Sequence, residues 1–246
     1  MPTIEDNIRL WDVEYNWSKR GDEWSACWGG TDMQWYGAIL PRIHRFIPTR
    51  TILEIAPGFG RWTEFLKDFC NNLILVDLSK KCIQSCKDRF ASCSHITYFV
   101  NDGKTLEMIS DKSIDFVFSF DSLVHAEDDV MKVYISELSQ KLKKDGVGFL
   151  HHSNIGEYST DSNIHLRAFS MTADKFRQFA REYGLQCISQ EIINWGTKRL
   201  IDCISVFTKK DSTWSCPNKV VRNKDFMKEA NYILKLSRLY GINGQV

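Results

Sequence analysis

"TILEIAPGFGRW", residues 51–62, sets an apolar, strand-like run directly against a turn holding Pro57, Gly58 and Gly60, and the residues that follow read as a helix. Glycines let a main chain approach a ligand closely and adopt conformations that a side chain forbids. In a parallel α/β sheet, the turn after the first strand is where the fold leaves its crevice. One residue is out of keeping with the run: Glu54 puts a carboxylate inside the strand.

Outward from this turn, short apolar runs alternate with amphipathic stretches, as strands do when they cross over through helices. The pattern predicts strands at 51–55, 72–77, 96–100, 114–120 and 146–151, and helices at 60–69, 79–91, 127–143 and 172–183. In the second helix Ser79 is placed to cap the first turn, and Cys82, Ile83, Cys86 and Phe90 share one face. Farther on, "QCISQEII" and "LIDCISVFT" are separated only by "NWGTKR", which predicts a hairpin. The expected fold is therefore α/β: a Rossmann-like doubly wound sheet, mostly parallel, finished by a C-terminal antiparallel hairpin. One domain over 1–246 is expected. It comprises an N-terminal helical cap (1–48) whose helix through "TDMQWYGAIL" bends or ends at Pro41, a core (49–208), and a C-terminal helical tail (209–246).

Composition narrows the partners. Basic and acidic residues balance to a formal charge of +1, which predicts no broad attraction for nucleic acid. The eight cysteines form no CxxC pair and no metal-ligand spacing, so reduced thiols and no metal site are expected. The N-terminus lacks a basic start followed by an apolar run, and no stretch of about 18 apolar residues occurs. A cytoplasmic protein without membrane insertion is expected, with homo-oligomerisation left open.

The glycine turn alone suits either a dinucleotide or another adenosine-bearing cofactor. A dinucleotide fingerprint requires G-x-G-x-x-G, whereas Thr63 stands at the third position, which disfavours a nicotinamide-dependent oxidoreductase. Asp77 closes the second strand in "LILVDLS", where a carboxylate can accept from a ribose diol, with Leu78 beside it. Asp102, after the third strand, is placed for an adenine amine, and Gly103 leaves room for the ring. Ser119, Phe120 and Asp121 end the fourth strand at the mouth of the crevice.

Over about residues 50–208 the chain resembles the class I S-adenosylmethionine (SAM)-dependent methyltransferases, whose first motif is an acidic residue followed by G-x-G-x-G. That motif reads here as Glu54, Ala56, Gly58 and Gly60. The resemblance implies SAM as cofactor. It places Glu54 near the cofactor's amino group, Gly58 and Gly60 at its methionine portion, Asp77 at the ribose and Asp102 at the adenine. Ala56 replaces the first glycine and Pro57 removes a main-chain donor, so this loop is stiffer than the family's usual form. Arg61 and Trp62, at the start of the first helix, are placed to reach or flank the cofactor carboxylate.

Methyl transfer to an oxygen needs alignment and a base. Three histidines offer one: His152 as first choice, His151 as second, both in "FLHHSN", and His125 in "DSLVHAED", with Asp121 as orienter or proton acceptor. The fourth strand ends in "SFDS" rather than the Asn/Asp-Pro-Pro-Tyr of amino methyltransferases, which disfavours nitrogen on a base or protein amide. Five tryptophans in the first 48 residues provide flat faces of the kind that stack on sugars. "WGGTDMQWYGAILPRI" resembles the lead-in of bacterial methyltransferases acting in polysaccharide or antibiotic-sugar pathways. O-methylation of a sugar or glycan-related small acceptor is the expected function, with Trp35, Arg167 and Trp195 as candidate substrate contacts. The alternatives are N-methylation, O-methylation of another small metabolite, and a non-catalytic module of the same fold.

Overall fold

The computed structural model describes residues 2–158 and 166–240; the end of the expected tail, 241–246, lies outside them. The N-terminal arm is a string of short helical pieces: α1 (Ile4–Ile8), a π turn over Arg9–Glu14, and 3-10 turns at Trp17–Lys19 and Asp22–Trp28. Next, α2 (Thr31–Gln34), a π segment (Trp35–Ile39) and α3 (Leu40–Ile43) run on as one rod. Of the expected bend or end at Pro41, the end is not there: the helix runs on to Ile43, and just before the proline the wider π turn carries the Leu40 amide to the Trp35 carbonyl.

The core alternates β1 (Thr49–Ile55), α4 (Thr63–Leu66), β2 (Cys70–Asp77), α5 (Lys80–Arg89), β3 (Ile96–Val100), β4 (Ile114–Ser119), α6 (Asp128–Lys141) and β5 (Leu142–Ser153). It then continues through α7 (Ala173–Glu182), β6 (Leu185–Ile193), β7 (Asp202–Lys209), β8 (Lys219–Asn223) and α8 (Phe226–Tyr240). One eight-stranded sheet results, in the order β3-β2-β1-β4-β5-β7-β6-β8. Strands β1 to β5 are parallel to one another, while β7 runs antiparallel to both β5 and β6. The expected Rossmann-like sheet with its antiparallel hairpin is present.

Two elements differ from expectation. The helix predicted over 60–69 begins only at Thr63, as α4, and tightens into a 3-10 turn over Lys67–Phe69; its first turn is missing because Gly60 holds a left-handed conformation (φ 80°) that a helix cannot contain. The polar tail supplies an eighth strand, β8, parallel to β6. Its Lys219–Arg222 side chains are exposed, so no apolar periodicity announces it.

Each sheet face has its own core. One packs Ile52, Leu75, Phe118 and Phe149 under Trp28, Trp35, Trp62 and Phe226 of the arm, the glycine turn and α8. The other packs Leu53, Val117 and Leu150 against α6 and α7 through Met131, Ile135 and Phe176. All eight cysteines are unpaired, and among the described residues no helix is long and apolar enough to cross a membrane.

Arg42 ties the arm to the sheet and to α8. Its guanidinium donates to Glu191 of β6 at 2.8 and 2.9 Å and to Glu229 of α8 at 2.8 and 2.9 Å. Arg42→Met leaves two carboxylates facing one another, half-buried. It is expected to lower the free energy of unfolding by about 2 kcal/mol in urea titrations, and the triple variant with Glu191→Gln and Glu229→Gln to recover part of that loss.

Candidate active site

The turn after β1 is pinned to both neighbouring strands. The Ala56 amide donates to the Val76 carbonyl at 2.7 Å, the Gly58 amide to Asp77 Oδ2 at 3.1 Å, and Ser122 Oγ to the Ala56 carbonyl at 2.9 Å. Gly58 is required twice over: its φ is left-handed, and a Cβ there would lie 2.9 Å from the Trp17 ring. Trp17 itself lies flat on Phe59, with ring centroids 4.5 Å apart. Asp77 also takes the Ser79 amide at 2.8 Å, which opens α5. Burial, with the Asp12 carboxylate adding to it, pushes Asp77 up to about 6. Asp12 reaches α5 from the arm, accepting from Ser79 Oγ and from the Lys81 amide.

Between these pieces lies a cleft of about 960 Å3, open mouth included. Ala56, Gly58, Arg61 and Trp62 form one wall; Asp77, Leu78 and Gly103 form a second; and Phe120, Asp121, Leu123 and His125 form a third. The arm closes it with Ile4, Asn7, Trp11, Trp17 and Trp24. Asn7 Nδ2 donates to the His125 carbonyl at 3.3 Å, so the arm is tied to the β4 side as well.

A buried chain of charge runs inward from the third wall. Arg61 donates to Asp121 Oδ2 at 2.8 Å and to Ser25 Oγ at 3.4 Å, with its guanidinium over Trp24 and Trp62. Asp121, at φ 63°, donates its amide to His151 Nδ1 at 3.1 Å. His151 Nε2 lies 3.3 Å from Asp202 Oδ2, and Arg167 clasps both oxygens of Asp202 at 3.0 and 2.8 Å. Burial opposes ionisation of Asp202, yet Arg167 and His151 hold its carboxyl well below the usual range.

The cleft thus gathers Ala56, Gly58, Arg61, Trp62, Asp77, Leu78, Gly103, Phe120, Asp121 and His125 from the residues expected at the site. The others lie elsewhere. Glu54 is sealed behind the turn, accepts from Thr63 Oγ1 at 2.6 Å, and is pushed by burial up to about 8, so it is largely protonated at neutral pH. Gly60 faces Phe90 on the side away from the cleft. Asp102 is exposed and lies outside the cleft lining; its Oδ1 accepts from the Lys104 and Thr105 amides and from Thr105 Oγ1.

Of the predicted bases, His152 is on the opposite sheet face. It stacks on Phe176 at 4.5 Å and bonds Ser205 Oγ and the Ser153 carbonyl, which makes it a packing residue. His151 has the cleft's face but lies beneath Asp121, its Nδ1 already taken. Trp35 is fully buried against Phe65, Trp195 packs between Trp28 and His151, and Arg167 serves Asp202, so none of the three expected substrate contacts reaches the cleft. In their place stand Trp11, Trp17 and Trp24. The tryptophan-rich arm was visible in the sequence; which of its rings turn inward was not.

His125 has the arrangement of a base. Its Nδ1 lies 2.8 Å from the Leu166 carbonyl, which can only accept, so Nδ1 carries the proton and Nε2 keeps its lone pair. Burial, with the Arg167 charge behind it, pushes the ring down to about 4, leaving it neutral at physiological pH.

Residues 52–146 match the family described as Methyltransferase domain. Over these residues the chain carries a methyltransferase domain, which implies SAM as the methyl donor. No curated protein matches the sequence. Among solved structures, a SAM-dependent methyltransferase from Clostridium acetobutylicum shares 16% identity, covering 79% of this chain and 96% of its own, at TM-score 0.58. A protein of Pyrococcus horikoshii shares 20%, covering 73% and 93%, at TM-score 0.56. A SAM-dependent methyltransferase from Leishmania major shares 14%, covering 84% and 91%, at TM-score 0.57. These likenesses are of fold.

The methyltransferase cleft fits its cofactor. Asp77 presents a carboxylate for a ribose diol, Leu78, Gly103 and Leu123 give apolar walls for a base, and charged groups stand at the Arg61 end. Glu54 makes a separate prediction about stability. Its folded value, about 8, exceeds the ordinary 4.5, so the folded state binds the extra proton between those limits. The stability from this group is full below about 4.5 and is lost as pH rises through about 8. Above about pH 6.5, where the buried histidines no longer differ between folded and unfolded chains, thermal melts up to pH 9 should show Tm falling with pH in the wild type, and Glu54→Gln should flatten that slope.

Proposed function

We propose that this methyltransferase acts on the hydroxyl of a small acceptor, a sugar or glycan-related molecule, with His125 as the general base. The observation that carries the reading is the His125 ring: Nδ1–H is fixed on the Leu166 carbonyl, and the one remaining lone pair belongs to a residue of the cleft wall. When bound, SAM supplies an electrophilic methyl on a sulfonium. His125 Nε2 receives the hydroxyl proton as the oxygen is alkylated, and its low affinity for protons keeps it ready at neutral pH. Trp11 packs on the same imidazole at 5.3 Å and, with Trp17 and Trp24, gives the acceptor flat apolar faces while the arm keeps water out. Unpaired thiols suit a reducing compartment, and the cytoplasm is the proposed location.

The first test is a panel of sugars, nucleotide sugars, phenols and amines with radiolabelled SAM. Methylation of hydroxylated members supports the reading; turnover of amines alone overturns it. His125→Asn is expected to lower kcat by about 10²–10⁴-fold with the Kd for SAM unchanged. In wild type, the acid limb of kcat/KM should fall near pH 4 rather than near the ordinary histidine value of 6.5. A limb at 6.5, or full turnover in His125→Asn, would remove His125 from the chemistry.

A further inference from the structure

The family motif would give the cofactor's ammonium to Glu54, yet Glu54 is sealed behind the turn with Thr63 and takes no part in the cleft wall. Some other group must meet that end of SAM. Five charged residues line the cleft: Arg20, Arg61, Asp77, Asp121 and Glu127. Asp77 stands at the ribose position and already holds the Gly58 and Ser79 amides, and Glu127 holds the Phe169 and Ser170 amides and Ser170 Oγ. Arg20 is exposed at the rim. Arg61 and Asp121 remain, both shielded from solvent and joined to each other at 2.8 Å.

We propose that the Arg61–Asp121 pair is the receptor for the α-amino-carboxylate of SAM, with His151 as the positioning residue that holds Asp121 in place; this rests on the reading of the cleft as a SAM site. A zwitterion laid against the pair in the opposite sense alternates all four charges: the guanidinium meets the carboxylate, and the Asp121 carboxylate meets the ammonium. Among the described residues, Asp121 Oδ1 and Arg61 Nε have no hydrogen bond, so each can add the new partner without breaking the existing ion pair. Shielding by Trp24 and Trp62 strengthens such contacts, because charge-assisted hydrogen bonds gain where water is scarce.

The pair presents itself this way only because Asp121 is left-handed, a conformation that favours glycine. His151 supplies what a glycine would not need: its Nδ1 accepts the Asp121 amide. To accept there it must carry its proton on Nε2, toward Asp202, and Asp202 is fixed in turn by Arg167. The chain from Arg167 to Arg61 is thus a scaffold that aims one carboxylate.

Calorimetry with two ligands separates this subsite from the rest of the cleft. S-adenosylhomocysteine carries the amino acid; 5′-methylthioadenosine has the same nucleoside and thioether without it. Wild type is expected to prefer the former by about tenfold or more. Arg61→Met and Asp121→Asn should each cut that preference to about threefold or less while changing methylthioadenosine affinity by less than about twofold. Asn places an amide oxygen where His151 has Nδ1, and Gln places its amide where His151 has Nε2. His151→Asn should therefore retain the preference, and His151→Gln should lose it. An unchanged preference in Arg61→Met and Asp121→Asn overturns the proposal, as does a parallel loss of both ligands in those variants. Wild type binding neither ligand would overturn the SAM reading itself.

Discussion

The Asp77 carboxylate joins three pieces of chain that lie far apart in sequence. One oxygen holds the Gly58 amide and so the turn after β1; the other holds the Ser79 amide and so the start of α5; and Ser79 in turn binds Asp12 of the arm. A carboxylate buried to this degree disfavours its own charge, and the two amides offset much of that penalty. The left-handed Gly58 is what brings its amide within reach, and the absence of a side chain there is what lets Trp17 lie against the turn. Moving Asp77 would therefore release the floor of the cleft, the first turn of α5 and the anchorage of the arm together.

What the sequence disclosed follows from this geometry. Strand ends at 77 and 100 are legible because β2 and β3 are apolar runs stopped by polar residues, and β4 ends at Ser119, one residue short of the predicted 120. Helix α5 is legible because Ser79 caps it and Cys82, Ile83 and Cys86 are buried on one side. The place of Asp77 on the cleft wall is legible because it is the carboxylate that ends the second strand of a parallel sheet. Asp102 obeys the same rule of position, but its Oδ1 is drawn into its own Asx turn by the Lys104 and Thr105 amides and the Thr105 hydroxyl, a contact that no strand pattern announces.

The histidines show where strand periodicity stops being informative. Alternation correctly separates His151 and His152 onto opposite faces, and it says nothing about depth. His152 meets Phe176 of α7, and His151 meets the underside of Asp121. His125 belongs to no strand, and the group that fixes its tautomer, the Leu166 carbonyl, lies 41 residues away. A pairing over that distance has no signature in a single sequence.

The arm carries the same lesson into energetics. Trp11, Trp17 and Trp24 fall in a π turn and two 3-10 turns, where neither 3.6 nor 2 is the period, so no pattern marks which rings turn inward. Their placement is set instead by three tertiary ties: Asn7 on the His125 carbonyl, Asp12 on the first turn of α5, and Trp17 on Phe59. The tie through Asp12 carries its own opposition, because it brings a second carboxylate toward Asp77 and makes ionised Asp77 harder to sustain. Hydroxyl donors reaching Asp77 favour its charged form and relieve that opposition. A ribose diol and the Asp12 tie therefore act on the Asp77 proton in opposite directions, and by linkage a ligand that favours the charged carboxylate weakens that one tie, leaving Asn7 and Trp17 to hold the arm over the cleft.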